Sequence, residues 1–284
     1  MKYVTIAELN QTIRTNFYRI PHNIDFVIGV PRSGMLPATI IAEYLNVPLT
    51  DLNSFVNGQR PSGGMRLGFK RPGNLTQQKV LVVDDTTFNG TSIRTAKSLL
   101  KGLSKIYDIT YMVVYKEGRS TEPDIWLEDI SQYADPIVLY EWNIFHHYPN
   151  ILKSCMYDID GVLLPNPPDE MNEQQYLDFI KKAPPLFTTS SPIGALVSYR
   201  LESRREITEA WLKENKIEYN ELLLFPSSSY DERAKTAYPS EFKAKHYRRS
   251  TWAKLFVESD DLQAREIARL SGKPVYCVES NRLY

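Results

Sequence analysis

The chain has 284 residues, 42% hydrophobic, 24% charged and 12% aromatic, so two domain-sized halves can each bury a core. Its 34 Lys plus Arg balance 34 Asp plus Glu, which leaves no excess charge to grip nucleic acid or an anionic membrane surface. The opening run MKYVTIAELNQ lacks the apolar core of a signal peptide, no stretch approaches the about 20 apolar residues of a membrane span, and Cys155 and Cys277 have no metal-ligand spacing; the expectation is a reduced cytoplasmic protein.

Thr5 is placed to cap a helix over Thr5–Phe17, in which Leu9, Ile13 and Phe17 share a face. Phe26–Val30 is a short apolar run stopped by Pro31 and reads as a buried strand. Leu36–Leu45 has helical spacing, with Leu36, Ile40, Ile41, Tyr44 and Leu45 on one side. Residues 53–75 have glycine, proline and polar residues in place of any period, and predict a long basic loop carrying Arg60, Arg66, Lys70 and Arg71. Lys79–Val83 predicts a second buried strand, Ile93–Leu103 an amphipathic helix, and Ile109–Tyr115 and Pro136–Tyr140 two further strands. Buried strands alternating with amphipathic helices predict a largely parallel sheet with helices on both faces.

The pattern restarts after EWNIFHHYPN, which sets a domain boundary near residues 148–153. Beyond it Ser154–Ile159, Ala195–Ser198, Leu222–Phe225, Lys254–Val257 and Val275–Val278 read as strands. Tyr176, Phe179 and Ile180 mark a short helix, and Ser203 with Glu206 forms a capping box opening a helix that carries Ile207, Ala210 and Trp211. A last helix, Leu262–Leu270, stops at Gly272 and Pro274.

In a parallel α/β sheet, ligands sit at the carboxyl ends of strands. The run Val80–Ser92, VLVVDDTTFNGTS, is such an end. Gly90 lets the backbone approach closely, the N–H groups of the loop and first helical turn converge, and the helix dipole favours an anion there. The hydroxyls of Thr91 and Ser92 add donors. Asp84 and Asp85 are costly side by side unless they bind hydroxyls or a metal-bound sugar. A phosphate cradle beside diol-binding acids describes a phosphoribose site. A second strand end, GVPRSGMLPA (Gly29–Ala38), offers short residues and Gly34 for a loop around another anion, with Arg32 as donor. Alone it is also a plain turn; its meaning comes from the acidic loop on a neighbouring strand.

Together these runs resemble the type I phosphoribosyltransferases over roughly residues 1–145, including VVYK (Val113–Lys116) and EWN (Glu141–Asn143), which echo the family's end region. The resemblance implies a site for 5-phosphoribosyl 1-pyrophosphate (PRPP) with Mg²⁺. Asp84 and Asp85 would hold the ribose hydroxyls; Phe88, Asn89, Gly90, Thr91 and Ser92 the 5′-phosphate; and Val30, Pro31, Arg32, Ser33 and Gly34 the pyrophosphate. The loop at 53–75 would close over the reaction, with Arg60, Arg66, Lys70 and Arg71 neutralising the departing pyrophosphate. Asn89 departs from the family's small residue but can still donate to phosphate. Phe88 stands where purine-salvage members carry an aspartate, which argues against ordinary hypoxanthine or guanine salvage. Lys116, Tyr140 and Trp142 are base-contact candidates, for polar readout and stacking, with core packing as the alternative for the aromatics. A homodimer is a further implication of the resemblance.

In the second half, Tyr157–Leu163, YDIDGVL, ends a strand with Asp158 and Asp160 two residues apart and therefore on one side. Such a pair can hold Mg²⁺ while one carboxylate attacks phosphorus and the other moves a proton. An acidic strand-to-turn junction without chemistry is the plain alternative. ALVSYR puts Ser198 at a strand end, able to bind a phosphoryl oxygen. EFKAKHY offers Lys243, with Lys245 as competitor, to neutralise the phosphoryl group and the nucleophile. LFVESDD puts Glu258, Asp260 and Asp261 at another strand end, suited to a metal. This order resembles the haloacid dehalogenase-like (HAD) phosphatases over roughly residues 152–284. The resemblance implies Asp158 as nucleophile, Asp160 as general acid/base, Ser198 and Lys243 as catalytic partners, and Mg²⁺ on Asp158, Asp160, Glu258 and Asp261. Ser198 and Glu258 replace the more usual Thr and Asp. The short segments between these residues leave no room for a large cap. His146 and His147 read as linker residues.

The expected fold class is therefore α/β: two Rossmann-like parallel-sheet domains in tandem, residues 1–150 and 151–284, the second HAD-like with a minimal cap. The expected function is a bifunctional enzyme of nucleotide metabolism. A phosphoribosyltransferase joins a nucleobase-like acceptor to PRPP, and a phosphatase then takes nucleotide to nucleoside. The expected partners are small molecules (PRPP, a nucleobase or a nucleotide), with neither nucleic acid nor membrane. One alternative is a PRPP- or nucleotide-sensing domain that regulates a phosphatase. The other is an active transferase with a non-catalytic HAD-like module.

Overall fold

The computed structural model describes residues 1–64, 77–131, 137–168, 170–227 and 238–284. Its contacts divide the chain into two units, Met1–Trp142 and Asn143–Tyr284. The boundary expected at 148–153 falls earlier because residues just before it pack within the second unit. Phe145 stacks on Phe187 with ring centroids 4.1 Å apart, and the Tyr157 hydroxyl donates to the Ile144 carbonyl at 3.4 Å.

The first unit contains β1 (Lys2–Val4), α1 (Ile6–Thr15), β2 (Phe26–Gly29), α2 (Met35–Leu45), β3 (Leu49–Asp51), α3 (Leu52–Val56), β4 (Gln78–Thr87), α4 (Thr91–Leu100), β5 (Tyr107–Lys116), β6 (Ile125–Asp129) and β7 (Val138–Tyr140). Five strands form a sheet in the order β3-β2-β4-β5-β6, each pair parallel. Strand alternation sends Leu81 and Val83 to a core shared with α1 and α2, and Val80 and Val82 to a second core with α3 and α4. Thr5 caps α1 through a complete capping box with Glu8. The expected strand at Pro136–Tyr140 does not join the main sheet: β7 pairs with β1 in a separate two-stranded ribbon. The sheet is completed instead by β6, whose mixed sequence IWLED fits a half-exposed edge.

The second unit contains α5 (Pro149–Leu152), β8 (Cys155–Tyr157), α6 (Glu173–Lys182), β9 (Ala195–Leu201), α7 (Arg205–Glu214), β10 (Leu222–Phe225), α8 (Pro239–Arg249), β11 (Leu255–Glu258), α9 (Asp261–Ser271), β12 (Val275–Cys277) and β13 (Arg282–Leu283). The sheet order is β10-β9-β8-β11-β12-β13. Every pair is parallel except β12–β13. The expected capping box of Ser203 and Glu206 does not form. Residues Glu202–Arg204 make a 3₁₀ turn, so α7 begins after Arg204 with no side-chain cap, and Glu202 pairs with Arg205 instead. Gly272, at φ +70°, ends α9 as the sequence pattern anticipated.

Candidate active sites

In the first unit, strand order reverses between β2 and β4, the place where an open parallel sheet leaves a crevice for ligand. Both predicted loops lie there. β4 runs further than expected, through Thr87, so Asp84 and Asp85 sit within its last four residues. They are 7% and 3% exposed. The Asp84 Oδ1 accepts from the Asp85 N–H at 3.0 Å, and the Asp85 Oδ1 accepts from Thr86 N–H at 2.9 Å. Burial, and then the adjacent Asp84 charge, push the Asp85 carboxyl up to about 8. Burial also raises Asp84, against hydrogen bonding from Ser92. An acidic pair held at this cost in a crevice is the arrangement expected of a functional site.

The loop after β2 closes onto that pair. Val30 N–H donates to the Val83 carbonyl at 2.9 Å. A Cβ on Gly34 would lie 2.5 Å from the Val30 carbonyl oxygen and 2.8 Å from Asp84 Oδ1, so only glycine fits. Pro31 and Arg32 are exposed and Ser33 is half-buried. After β4, Gly90 adopts φ +79° and opens α4. Gly90 N–H bonds Thr87 Oγ1 at 3.1 Å. The Asn89 Oδ1 accepts from both the N–H and the hydroxyl of Thr91, at 3.1 and 2.8 Å. A side-chain oxygen thus already occupies the point where these donors converge. Phe88 is 60% exposed. Arg94, which the sequence reading passed over, reaches back to the Asn89 carbonyl at 3.1 Å and Thr91 Oγ1 at 3.2 Å, adding a cation at the cradle.

The base-contact candidates divide. Tyr140 is 2% exposed and its hydroxyl donates to Glu117 Oε1 at 2.6 Å, so it is a core residue. Trp142 donates its indole N–H to Asp85 Oδ2 at 2.7 Å and lies 5.0 Å from the Tyr140 ring. Lys116 lies over the Trp126 ring at 4.4 Å and 3.6 Å from Asp129, so its charge has local partners. Glu117 was not anticipated. It accepts from Thr86 Oγ1 at 2.5 Å as well as from Tyr140. Of the basic loop residues, Arg60 is exposed, and Arg66, Lys70 and Arg71 lie outside the described residues.

In the second unit the strand order reverses between β8 and β11, and a cleft of about 750 Å³ opens there. Asp158, Asp160, Ser198 and Lys243 all line it. They come from the end of β8, the turn after it, β9 and α8. Lys243 is 2% exposed. Its Nζ donates to Asp158 Oδ2 and Glu258 Oε2, each at 2.7 Å, and to Gln263 Oε1 at 3.0 Å. Lys245 does not share this position. Burial pushes the Asp158 carboxyl up to about 7, opposed by Lys243 and reinforced by Glu258 and Asp160. The two carboxylates hold the Lys243 ammonium above its ordinary range despite its burial. Ser198 is 1% exposed.

The expected metal set does not assemble. Glu258 is fully buried, with Oε2 taken by Lys243 and Oε1 by the N–H groups of Ser259 and Asp260 at 2.9 and 3.3 Å. Asp261 turns to Arg265 at 2.7 Å and to the Tyr284 hydroxyl. It is Asp260 that lines the cleft, while capping α9 through Gln263 N–H at 2.7 Å. Asp160 is gripped by Arg200. Among the described residues, no group of three or more His, Cys, Asp or Glu is arranged to hold a metal. In this unit sequence reasoning missed Arg200. Its signal was Ser-Tyr-Arg on a strand, which places Arg200 on the same face as Ser198.

Residues 3–140 match the family model described as the phosphoribosyl transferase domain. The match covers nearly all of the first unit and none of the second. The chain is similar to a purine phosphoribosyltransferase from Pyrococcus horikoshii Ot3, with 19% identity over 50% of this chain and 92% of that one and a TM-score of 0.35. An orotate phosphoribosyltransferase from Aeropyrum pernix shows 20% identity over 44% and 70%, with a TM-score of 0.32. A xanthine-guanine-hypoxanthine phosphoribosyltransferase from Helicobacter pylori shows 12% identity over 49% and 92%, with a TM-score of 0.34. None of the curated proteins compared matches the chain. The described residues contain no helix long and apolar enough to cross a membrane.

Proposed function

We propose that the protein is bifunctional: the first unit transfers the phosphoribosyl group of PRPP, taken as its magnesium complex, to a nucleobase-like acceptor, and the second unit hydrolyses a phosphomonoester. The observation that carries the first half is the buried Asp84–Asp85 pair, roofed by Gly34 and flanked by the Gly90 cradle. The carboxylates accept from the two ribose hydroxyls, and the cradle N–H groups and Arg94 take the 5′-phosphate once the Asn89 amide swings aside. Arg32, exposed on the loop after β2, takes the pyrophosphate. The Phe88 substitution speaks for an acceptor other than hypoxanthine or guanine. Incubation with PRPP, Mg²⁺ and a panel of purines and pyrimidines should release pyrophosphate with at least one base. Release with none would remove the transfer reaction from the account.

The second half rests on Lys243 bridging Asp158 and Glu258 beside Asp160 and Ser198. Asp158 Oδ attacks phosphorus, the ester oxygen departs with a proton from Asp160, and an aspartyl-phosphate remains. Water then gives a proton to Asp160 and attacks phosphorus, releasing phosphate and restoring Asp158. Lys243 and Ser198 stabilise the charge on the transferring oxygens. The unassembled metal set favours a second reading, in which this unit binds a phosphoester without cleaving it. An aryl phosphate assay with Mg²⁺ separates the two: the phosphatase turns over, the binding module does not.

A further inference from the structure

Both oxygens of Asp85 are held by donors that lead back to one glutamate. Oδ1 accepts from the Thr86 N–H at 2.9 Å, and Oδ2 accepts from the Trp142 indole N–H at 2.7 Å. The first donor is the next residue in the chain. The second arrives from 57 residues away, just beyond the end of β7. The Trp142 ring lies 5.0 Å from the Tyr140 ring. The Tyr140 hydroxyl donates to Glu117 Oε1 at 2.6 Å, and the Thr86 hydroxyl donates to the same oxygen at 2.5 Å. The contacts close a circuit: Asp85, Thr86, Glu117, Tyr140, Trp142 and back to Asp85. A carboxyl bonded at one oxygen can still swing about its Cβ–Cγ axis, whereas bonds at both oxygens fix its plane. Asp85 is almost fully buried, so an oxygen left without a donor there would be costly. The indole N–H can only donate, which fixes the sense of the bond, and each carboxylate oxygen keeps a lone pair for a further donor.

Resting on the PRPP reading above, we propose that Trp142 is a positioning residue for the ribose: its N–H sets the plane of the Asp85 carboxyl so that the acid meets a ribose hydroxyl without reorganising. Trp142 acts through Asp85 and is not a platform on which a base stacks. Its ring is half-buried and packed against the core of the first unit, beside Tyr140. The two roles make different demands on the side chain. Holding Asp85 needs the N–H at the ring edge, whereas stacking needs only an aromatic face.

The test titrates the full chain calorimetrically, in Mg²⁺, with PRPP, ribose 5-phosphate and inorganic pyrophosphate, the last of which has no ribose. Trp142→Phe keeps a ring against Tyr140 and removes the donor. It should weaken PRPP and ribose 5-phosphate about fivefold each, the worth of one hydrogen bond, and leave pyrophosphate within about twofold. Trp142→His returns an N–H to the same place, because Nε2 of His and Nε1 of Trp occupy equivalent ring positions relative to Cγ. It should recover most of the loss although it removes more apolar surface than Trp142→Phe does. Asp85→Ala should weaken the two ribose ligands further, and adding Trp142→Phe to it should change nothing more. Thermal melting checks that each variant is folded. Equal weakening of all three ligands, a larger loss in Trp142→His than in Trp142→Phe, or additive losses in the double variant would overturn the proposal. If the wild type binds neither PRPP nor ribose 5-phosphate, the PRPP reading falls and this inference with it. If the wild type binds both and Asp85→Ala weakens both, but Trp142→Phe weakens neither, the inference alone falls.

Discussion

At Asp85 the folded state carries a penalty that has a pH signature. Its ordinary value is 3.8 and its folded value about 8, so the folded protein keeps a proton that the unfolded chain has lost. This contribution favours folding fully below 3.8 and is lost as pH rises to about 8, with Asp84 sharing the effect. Asp85→Asn should therefore melt at a higher temperature than wild type at pH 8.5, with the gap closing toward acid pH, while its KM for PRPP rises about tenfold, in line with replacement of a carboxyl oxygen by an amide NH₂ that cannot accept from the ribose hydroxyl. Lys243 carries the opposite liability. Lys243→Met leaves Asp158 and Glu258 buried without their cation, and urea denaturation should register a loss of about 3–5 kcal/mol. Asp84, Asp85, Asp158 and Asp160 were legible in the sequence because acids at strand ends have few structural uses, and Lys243, on α8, only through its place in the order of motifs. Arg200 and Glu117 were not, because their meaning lies in partners 40 and 31 residues away, and the indole of Trp142 was read as a base platform when its N–H holds Asp85.

The elements divide in a similar way. Strands with full apolar runs, such as β2, β4 and β8, are visible as local hydrophobicity, and α1 announces itself through the Thr5–Glu8 box. The short or half-exposed strands β1, β3 and β6 carry no such signal; their pairing is a tertiary choice. Ser203 misled for a related reason, since a 3₁₀ turn displaced the start of α7. The turn into α4 is where one atom decides an element. Gly90→Ala would force a side chain into φ +79° and place its Cβ 2.4 Å from Ser120 Oγ and 2.5 Å from Glu122 Cγ. It should destabilise the protein by about 1–3 kcal/mol and weaken PRPP binding more than binding of the base. Melting and the separate KM values for the two substrates read these effects.

Across the whole chain, the same architectural rule is used twice: a parallel sheet whose strand order reverses, with acids at the reversal. That repetition was readable because the alternation of strand and helix patterns restarts midway. The position of the restart was not, because the packing of Ile144 and Phe145 against Tyr157 and Phe187 is a tertiary choice with no local signal. The two chemistries connect if the product of the first is a substrate of the second. The most direct measurement follows pyrophosphate and orthophosphate separately during incubation of wild type and Asp158→Asn with PRPP, Mg²⁺ and the accepted base. The account predicts that wild type releases both, whereas Asp158→Asn releases pyrophosphate alone and accumulates the nucleotide. Orthophosphate release that survives in Asp158→Asn, or pyrophosphate release absent from both proteins, would contradict it.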